Sequence, residues 1–393
     1  METVNGPNNW ILTARRDGNS VTLLRCATCD TAAALPDTLW GLPVTVLADH
    51  ALAPSVSSMV DTRLPPRDTR LSPSDARLSP SASKKHKTPG TLTADSIQIP
   101  ASDAVQLPND KQIPPVGTPV QLRMVCGPAG EAPWDNSALR ELTLPPSLLR
   151  VENYALYRCR SLRRIRLHDS VMFWGSGILT GCRELAAVEI TRTQGNRVAG
   201  NSGIAEVGAA ESGSALAYFA GEVSQELDAT VIFPGGILRL LFPAYRESYE
   251  ENSPAHHFDY TIEGAGYPYH HCFRNREINL LEYDSLWKRF QKLGDPCALR
   301  LAWWRVRYPI ELSSDADTAY RNYLCTHGTE AAAWLIRERD IPGLSFFLAQ
   351  IHPNHDTLSA AAVFARERRE TEALALLLEA QRRSFPAVDR FAL

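Results

Sequence analysis

Three stretches of this chain repeat one apolar pattern: Leu139-Arg-Glu-Leu-Thr-Leu144, Leu162-Arg-Arg-Ile-Arg-Leu167 and Leu185-Ala-Ala-Val-Glu-Ile190. Each stretch begins 23 residues after the one before it. A leucine-x-x-leucine-x-leucine pattern at this period is typical of repeat units that contribute one strand and one return turn. The inward residues of each strand stack on those of the next unit. We therefore expect Leu142, Ile165 and Val188 to form a ladder on adjoining parallel strands.

The return turns repeat as well. Leu148 stands 23 residues before Val171, and Cys159 stands 23 residues before Cys182. Equivalent positions of stacked units share one environment, and a small buried thiol packs like a hydrophobic side chain. The spacing therefore predicts two buried, unreactive cysteines on successive turns.

The stretch that runs from residue 142 to residue 190 reads LTLPPSLLRVENYALYRCRSLRRIRLHDSVMFWGSGILTGCRELAAVEI. It resembles the leucine-rich repeats of the bacterial BspA-like, Treponema-type class, and the resemblance covers about residues 135–194. Leu35-Pro-Asp-Thr-Leu39, with Ala51 and Leu52, looks like one more unit. The resemblance implies a protein-binding solenoid without naming its ligand.

Residues 54–118 differ from the repeats in composition. Asp-x-Arg-Leu units containing proline recur every seven residues from Asp61, and a short Lys-Lys-His-Lys run begins at Lys84. Serine, proline and charged residues bury too little apolar surface to offset the entropy of ordering a chain. This composition predicts a disordered insert that interrupts the repeat array.

Residues 195–292 mix two kinds of apolar pattern. Ala215–Leu227 and Glu282–Leu293 have helical periodicity, and short alternating or apolar runs predict strands at Thr230–Phe233, Leu238–Phe242 and Phe258–Ile262. Because the exposed end of a repeat array needs a cover, we expect this region to be a small α+β capping domain.

A second period, of 30 residues, relates Trp334 to Phe364 and Leu344 to Leu374 near the C-terminus. Apolar residues at helical spacing predict short helices at Ala331–Arg339, Gly343–Gln350, Leu358–Arg369 and Thr371–Arg382. The pairing loosely resembles ankyrin hairpins, although the Thr-Pro-Leu-His turn of ankyrin repeats is absent.

These patterns together predict an α+β multidomain fold with a short leucine-rich-repeat solenoid. We divide the chain into a strand-rich first repeat unit, a disordered insert, the repeats with a 23-residue period, the capping domain and an all-α helical-repeat domain: residues 1–53, 54–118, 119–194, 195–292 and 293–393.

In the predicted strands the apolar residues point inward, so the residues between them point outward on one face. These outward residues, the candidate binding residues, are Glu141, Thr143, Arg164, Arg166, Glu189 and Thr191. Arginine is enriched at interface anchors and binds carboxylate and phosphate groups with two parallel hydrogen bonds. The face therefore suits an acidic or phosphate-bearing segment of another protein.

Nucleic acid is the alternative partner for this arginine-rich face. Binding of a single strand would require several stacking aromatic side chains among the basic residues. The nearby aromatics are Tyr154, Tyr157, Phe173 and Trp174, and the repeat periodicity assigns most of them to the core. We therefore expect no nucleic-acid partner.

Two groups of residues could hold a metal. Cys26 and Cys29 form a lone Cys-x-x-Cys pair without a second pair or a following histidine pair at zinc-finger spacing. The second group comprises His257, His270, His271 and Cys272, beside His256, and adjacent strand residues point to opposite faces. We expect no metal and no cofactor. A metal-binding or enzymatic domain centred on residues 230–292 remains the alternative, and convergence of the second group stays open.

Composition, charge and the absence of catalytic motifs bear on the class of function. The chain has 41 basic and 44 acidic residues, a formal net charge of −3, and no long uninterrupted apolar run or N-terminal signal sequence. Its eight cysteines are scattered, as in reduced cytoplasmic proteins. No motif for nucleotide, serine-hydrolase or zinc-protease chemistry occurs. We expect a cytoplasmic, non-enzymatic scaffold or adaptor that binds another protein, with no membrane contact; its oligomeric state stays open.

Overall fold

The computed structural model describes residues 2–5, 8–54, 113–126, 133–192, 214–252 and 257–384. Residues 1–55 and 114–393 form one compact unit, which contains nearly all of the described residues. Strands and helices both occur, so the fold is a mixed α/β fold. The five regions that we expected from the sequence stay a prediction.

The described strands are β1 (Glu2–Asn5), β2 (Trp10–Asp17), β3 (Ser20–Ala27), β4 (Ala32–Ala34), β5 (Thr38–Leu39), β6 (Leu42–Leu47), β7 (Pro119–Val125), β8 (Glu141–Thr143), β9 (Arg150–Val151), β10 (Arg164–His168), β11 (Phe173–Trp174), β12 (Ala187–Thr191), β13 (Leu227–Phe233), β14 (Gly236–Phe242), β15 (Arg246–Asn252), β16 (His257–Glu263), β17 (Phe273–Arg274) and β18 (Glu277–Ile278). The described helices are α1 (Ser214–Glu222), α2 (Tyr267–His270), α3 (Leu280–Ser285), α4 (Trp287–Phe290), α5 (Ala298–Arg307), α6 (Ser314–Thr326), α7 (Gly328–Arg337), α8 (Ile341–Ile351), α9 (His355–Glu367) and α10 (Thr371–Ser384).

The predicted apolar ladder is present. Strands β4, β8, β10, β12 and β13 lie side by side in parallel, and β14 adds an antiparallel edge. Ile165 pairs with Leu142 on one side and with Val188 on the other. All three side chains are buried. The expectation of a ladder on adjoining parallel strands is confirmed, and we call these six strands the repeat sheet.

The return turns form a second set of parallel strands. Strand β6 pairs with β9, and β9 pairs with β11, in the sheet whose order is β1-β7-β2-β3-β6-β9-β11. From β8 to β12 the chain alternates between this sheet and the repeat sheet. The buried residues of both sheets, among them Leu148 and Val171, belong to one hydrophobic cluster.

Successive turns are also joined at their loops. The backbone N–H of Leu52 donates to the carbonyl of Ala155 at 2.8 Å, and that of Leu156 donates to the carbonyl of Ile178 at 3.2 Å. Cys159 and Cys182 are both buried, as predicted, and each thiol donates a hydrogen bond to a carbonyl of the preceding turn. The thiol of Cys159 donates to the Leu52 carbonyl at 3.4 Å, and that of Cys182 donates to the Leu156 carbonyl at 3.2 Å.

Among the N-terminal strands, β2 pairs antiparallel with both β3 and β7, whereas β1 pairs in parallel with β7. A two-residue turn at Gly18, which has φ +67°, joins β2 to β3, and glycine adopts such angles without strain. Strand β7 then lies between β1 and β2. Residues 114–118 lead into β7, and the Gly117 N–H donates to the Arg16 carbonyl at 2.9 Å. We placed the end of the disordered insert at residue 118, which is too late; residues 55–112 lie outside the described residues.

The region that we expected to be a separate cap is joined to the repeats. Strand β13 pairs in parallel with β12, so β13 and β14 extend the repeat sheet. The expected helix Ala215–Leu227 is wrong at its end, because α1 stops at Glu222 and Leu227 begins β13. The expected helix Glu282–Leu293 consists of α3, α4 and a 3-10 turn.

Helices α5 to α10 follow to residue 384. The four helices expected from periodicity correspond to α7, α8, α9 and α10, with ends that differ by a few residues. Side chains cap several of them. Asp340 accepts a hydrogen bond from Gly343 N at 2.8 Å, and Asn354 accepts one from Thr357 N at 2.8 Å. The relation of these helices to a 30-residue repeat stays a prediction.

Candidate binding face

Alternation within the strands sets the outer face of the repeat sheet. In β10 the side chains of Ile165 and Leu167 are buried, whereas Arg164, Arg166 and His168 are partly exposed. Successive strand residues point to opposite faces, so the two arginines leave the core on the same side. This outward direction agrees with the sequence analysis.

The strand register brings the six predicted residues together. Arg164 lies beside Glu141, and Arg166 lies between Thr143 and Glu189. Thr191 occupies the next outward position of β12, opposite His168. The six residues therefore form a continuous polar patch on three adjoining strands, which we call the outer face.

Strands β13 and β14 supply a further part of the outer face that the 23-residue period did not predict. Thr230 pairs with Glu189 and with Arg239, and Asp228 pairs with Ala187. The alternation of apolar residues within β13 marked it as a strand. Its membership in this sheet had no signal, because Ala229 pairs with a residue 41 positions earlier rather than 23.

Ion pairs neutralise much of the charge on the outer face. Arg166 Nη1 lies 2.8 Å from Glu141 Oε2, and Arg166 Nε lies 3.8 Å from Glu189 Oε2. All three side chains are about one-third exposed. Exposed pairs of this kind stabilise a fold by about 0–1 kcal/mol each. Arg166 is therefore held between two carboxylates, but the pairs add little to stability.

Arg239 is held more firmly. Its Nε and Nη2 atoms each donate to Asp228 at 2.8 Å, which is a bidentate pair. Its guanidinium carbon lies 3.4 Å from the ring centroid of Trp304, so the cation stacks on the aromatic face. Arg239 therefore has its contacts within the molecule.

Arg164 differs from both of these arginines. Its backbone N–H donates to the Arg140 carbonyl at 3.0 Å, but its side chain makes no hydrogen bond and no ion pair with any residue in the described part of the chain. It lines a cleft of about 50 Å³ on the outer face. The other residues around the cleft are Ala187, Val188, Glu189, Asp228, Thr230 and Arg239.

A larger groove, of about 620 Å³, lies between helices α3, α4 and α6. Its carboxylates include Asp284, which accepts hydrogen bonds from Arg305 at 2.7 and 2.8 Å and from the hydroxyl of Tyr320 at 2.9 Å. This carboxylate is already paired within the fold and is not a free acid for chemistry.

The nearby aromatics are more exposed than the sequence analysis expected. Tyr154 and Phe173 are exposed, and Tyr157 and Trp174 are half-buried, so the expectation that most of the four belong to the core is wrong. Tyr154 stacks on His50 with 5.2 Å between ring centroids, and the guanidinium of Arg150 lies 4.2 Å from the Phe173 centroid. Local stacking stabilises these rings at the surface. The absence of a nucleic-acid partner stays a prediction.

The described side chains of the histidine and cysteine group, those of His270, His271 and Cys272, contact backbone carbonyl groups. His270 is buried, with Nδ1 at 2.7 Å from the Ala220 carbonyl and Nε2 at 2.9 Å from the Pro243 carbonyl. Cys272 Sγ donates to the Pro268 carbonyl at 3.1 Å. His271 Nδ1 contacts the Tyr267 carbonyl at 2.7 Å. His257 lies in β16, and its side chain is outside the described residues.

Within residues 8–54, 113–126, 133–192, 214–252 and 257–384, no three histidine, cysteine, aspartate or glutamate side chains gather as metal ligands would. Cys26 and Cys29 are both free and buried. Burial raises the pKa of both thiols, so the neutral thiol is favoured over the thiolate that binds metal.

No helix in the described part of the chain is long and apolar enough to cross a membrane. No protein-family model matches the sequence. No curated protein matches it either. Among solved structures, the crystal structure of the T. pallidum leucine-rich repeat protein is similar over 44% of this chain and 68% of that chain, with 15% sequence identity and a TM-score of 0.17.

Proposed function

We propose that this protein is a cytoplasmic, non-enzymatic scaffold or adaptor that binds another protein through the outer face of the repeat sheet. In this proposal the parallel strands form a short leucine-rich-repeat solenoid, and helices α5 to α10 form helical repeats that offer a further contact surface. The ladder of Leu142, Ile165 and Val188 supports the first part, since stacked units leave the opposite side of each strand free for contacts.

Arg164 is the single observation that carries the proposal. Its neighbours Arg166 and Arg239 are paired with carboxylates, whereas Arg164 has no partner among the described residues. A guanidinium presents a fixed fork of donors that matches a carboxylate or a phosphate. An anionic group of a partner would therefore complete the pairing on the outer face.

The cleft beside Arg164 limits the size of that group. Its volume of about 50 Å³ is room for only a few water-sized groups. This fits the end of one acidic side chain or one phosphate, and it does not fit a folded domain or a drug-sized ligand. The expected partner is an acidic or phosphate-bearing segment of another protein, with Glu141, Thr143, Arg166, Glu189 and Thr191 as flanking contacts.

Charge reversal tests the proposal. Wild-type protein, the variant Arg164→Glu and the double variant Arg164→Glu/Arg166→Glu would each be immobilised, and proteins captured from the native cell would be quantified. We expect a partner held by the wild type to be reduced at least tenfold by the single variant, because truncating an interfacial charge pair costs about 2 kcal/mol or more. The double variant should abolish capture.

Arg163→Glu is the matched control, since Arg163 precedes β10 and pairs with Glu184 at 2.8 Å. It changes the charge by the same amount one residue away and should leave capture intact. Equal capture by wild type and both outer-face variants would refute the proposal. A fall of thermal stability in Arg164→Glu, absent in Arg163→Glu, would assign Arg164 a structural role instead.

A further inference from the structure

Strands β15 and β16 form a hairpin that is separate from both larger sheets. The two strands pair antiparallel from Arg246 opposite Glu263 to Asn252 opposite His257. In the part of the chain that the structure describes, neither strand pairs with any other strand. Each therefore presents an edge of unpaired backbone donors and acceptors.

Side chains on this hairpin are exposed over its described length. Tyr249 is 72% exposed and Tyr260 is 43% exposed, although both are aromatic. Ile262 is exposed too, as are Arg246 and Thr261 on the opposite side. The described side chains are therefore open to solvent on both faces of the hairpin.

One face of the hairpin is apolar and the other is polar. Tyr249 lies opposite Tyr260, with ring centroids 4.8 Å apart, and Ile262 lies opposite Glu247 on the same face. Ser248 and Thr261 hydrogen-bond across the opposite face at 2.5 Å. Aromatic side chains thus form an exposed patch with a carboxylate at its margin.

The base of the hairpin is held in place. Tyr245 N donates to the Ser224 carbonyl at 2.8 Å, and the Tyr245 ring packs against Tyr267 and His270 with centroids 5.3 and 4.9 Å away. Gly264 has φ +90°, and a Cβ there would meet the Ala244 carbonyl oxygen at 2.9 Å. The β15–β16 hairpin is therefore anchored to the rest of the protein at its base.

An isolated hairpin that is exposed on both faces is at best marginally stable in water. Contiguous exposed apolar residues on a soluble protein mark interaction sites. A third strand that paired with a free edge would supply the missing backbone hydrogen bonds and cover the aromatic face.

The charge of the hairpin selects the partner. Residues 246–263 contain one arginine and five carboxylate residues, and the described side chains among these carboxylates include Glu247 and Glu263. Pairing with the hairpin of a second copy would bring like charges together across the new edge, which is destabilising. A basic strand would instead place its cations beside these carboxylates.

We propose that the β15–β16 hairpin is a second docking site, which binds an extended basic segment of another protein by strand addition. The apolar residues of that segment would lie on Tyr249, Tyr260 and Ile262, and its lysine or arginine side chains would contact the carboxylates. This site takes a partner of opposite charge to the one proposed for Arg164, and it does not depend on the outer face.

The test uses the full chain and three short peptides. One alternates lysine and valine, one alternates glutamate and valine, and one alternates lysine and proline, which keeps the charge but cannot donate backbone hydrogen bonds. Titration calorimetry at physiological salt should show binding of the lysine–valine peptide and little or no binding of the other two.

Two variants locate the binding. Tyr249→Ser/Tyr260→Ser removes the aromatic patch, and Glu247→Lys/Glu263→Lys reverses two charges; each should weaken binding of the lysine–valine peptide at least tenfold. Met172→Ser, at an exposed apolar position elsewhere, should leave the affinity unchanged. Comparable thermal stability of all variants shows that the body remains folded.

Several results would overturn the proposal. Equal binding of the lysine–proline peptide would reduce the effect to charge alone. Unchanged affinity in both hairpin variants would place the site elsewhere. Self-association of the wild type that is lost in Tyr249→Ser/Tyr260→Ser, measured by sedimentation, would make a second copy the occupant instead.

Discussion

At the scale of single residues, burial lowers the pKa of the His270 imidazole, whereas two neighbouring carbonyl groups raise it. The Ala220 and Pro243 carbonyls face its two ring nitrogens and favour the charged ring. Burial opposes them and is the largest effect, and the neighbouring His271 acts in the same direction as burial. The rings of Phe242 and Tyr245 pack against it, and the Phe242 backbone favours the charged ring, as the two carbonyls do. The pKa of His270 is therefore lowered in the folded protein.

This lowered pKa predicts loss of stability in acid. An unfolded histidine has a pKa of about 6.5, so below that pH the unfolded state binds a proton that the folded state resists. The contribution of His270 is fully present above about pH 6.5 and is lost as the pH falls through the folded pKa. Urea unfolding of the wild type and of His270→Gln between about pH 7.5 and pH 5 measures this contribution to the free energy of unfolding.

We expect the wild type to lose more stability than His270→Gln over this range, whatever the stability of the variant at neutral pH. The comparison of slopes removes the contribution of other titrating groups. If acid stabilised the wild type relative to the variant, the charged ring held by both carbonyls would be the favoured form.

Two neighbouring arginines of the outer face, Arg164 and Arg166, differ in the partners of their side chains. Arg164 and Arg166 have equivalent places in the alternation of β10, yet among the described residues only the Arg166 side chain forms ion pairs. Alternation along a strand is a local property, so the sequence predicts that both side chains point away from the core. It could not tell which one lacks a partner, since the partners come from strands 23 or more residues away.

At the scale of elements, two successive turns approach each other closely at Gly175. Its N–H donates to the Val151 carbonyl at 2.8 Å. A Cβ added there would lie 2.6 Å from Asn153 N and 2.7 Å from the Glu152 carbonyl carbon, and neither backbone atom can turn aside as a side chain can. A side chain at this position therefore pushes two turns apart.

We predict that Gly175→Ala destabilises the protein by about 1–3 kcal/mol, the usual cost of overpacking. The matched control is Gly221→Ala in α1, where a Cβ would meet nothing within 4 Å. This control should be neutral or stabilising by up to about 1 kcal/mol, because alanine favours a helix over glycine. Urea unfolding measures both; equal effects of the two variants would show that the turns tolerate separation.

At the scale of the whole molecule, a buried ion pair joins helices that are distant in sequence. Arg305 of α5 is 0% exposed and Asp284 of α3 is 7% exposed, and the two form bidentate hydrogen bonds. Tyr320 of α6 donates to the same carboxylate, and Arg305 also donates to the Ile310 carbonyl at 3.1 Å. The pair therefore holds three helices of the C-terminal half together.

We predict that Asp284→Asn lowers the free energy of unfolding by about 3–5 kcal/mol, because it leaves a buried guanidinium without a counterion. The double variant Asp284→Leu/Arg305→Met removes both charges and should recover a large part of that loss. Urea unfolding of the two variants and the wild type measures the difference. A double variant no more stable than Asp284→Asn would show that shape, rather than charge, is critical at this site.

The sequence alone determined the repeat ladder, the direction of its side chains and the four C-terminal helices. Each depends on a short period that is visible within one stretch of chain. Tertiary structure alone decided that β13 and β14 continue the repeat sheet, that β7 returns beside β2, and that the Arg164 side chain, unlike those of Arg166 and Arg239, has no partner among the described residues. These features depend on strand pairings between distant segments, and backbone hydrogen bonds can join segments that have no common spacing in sequence.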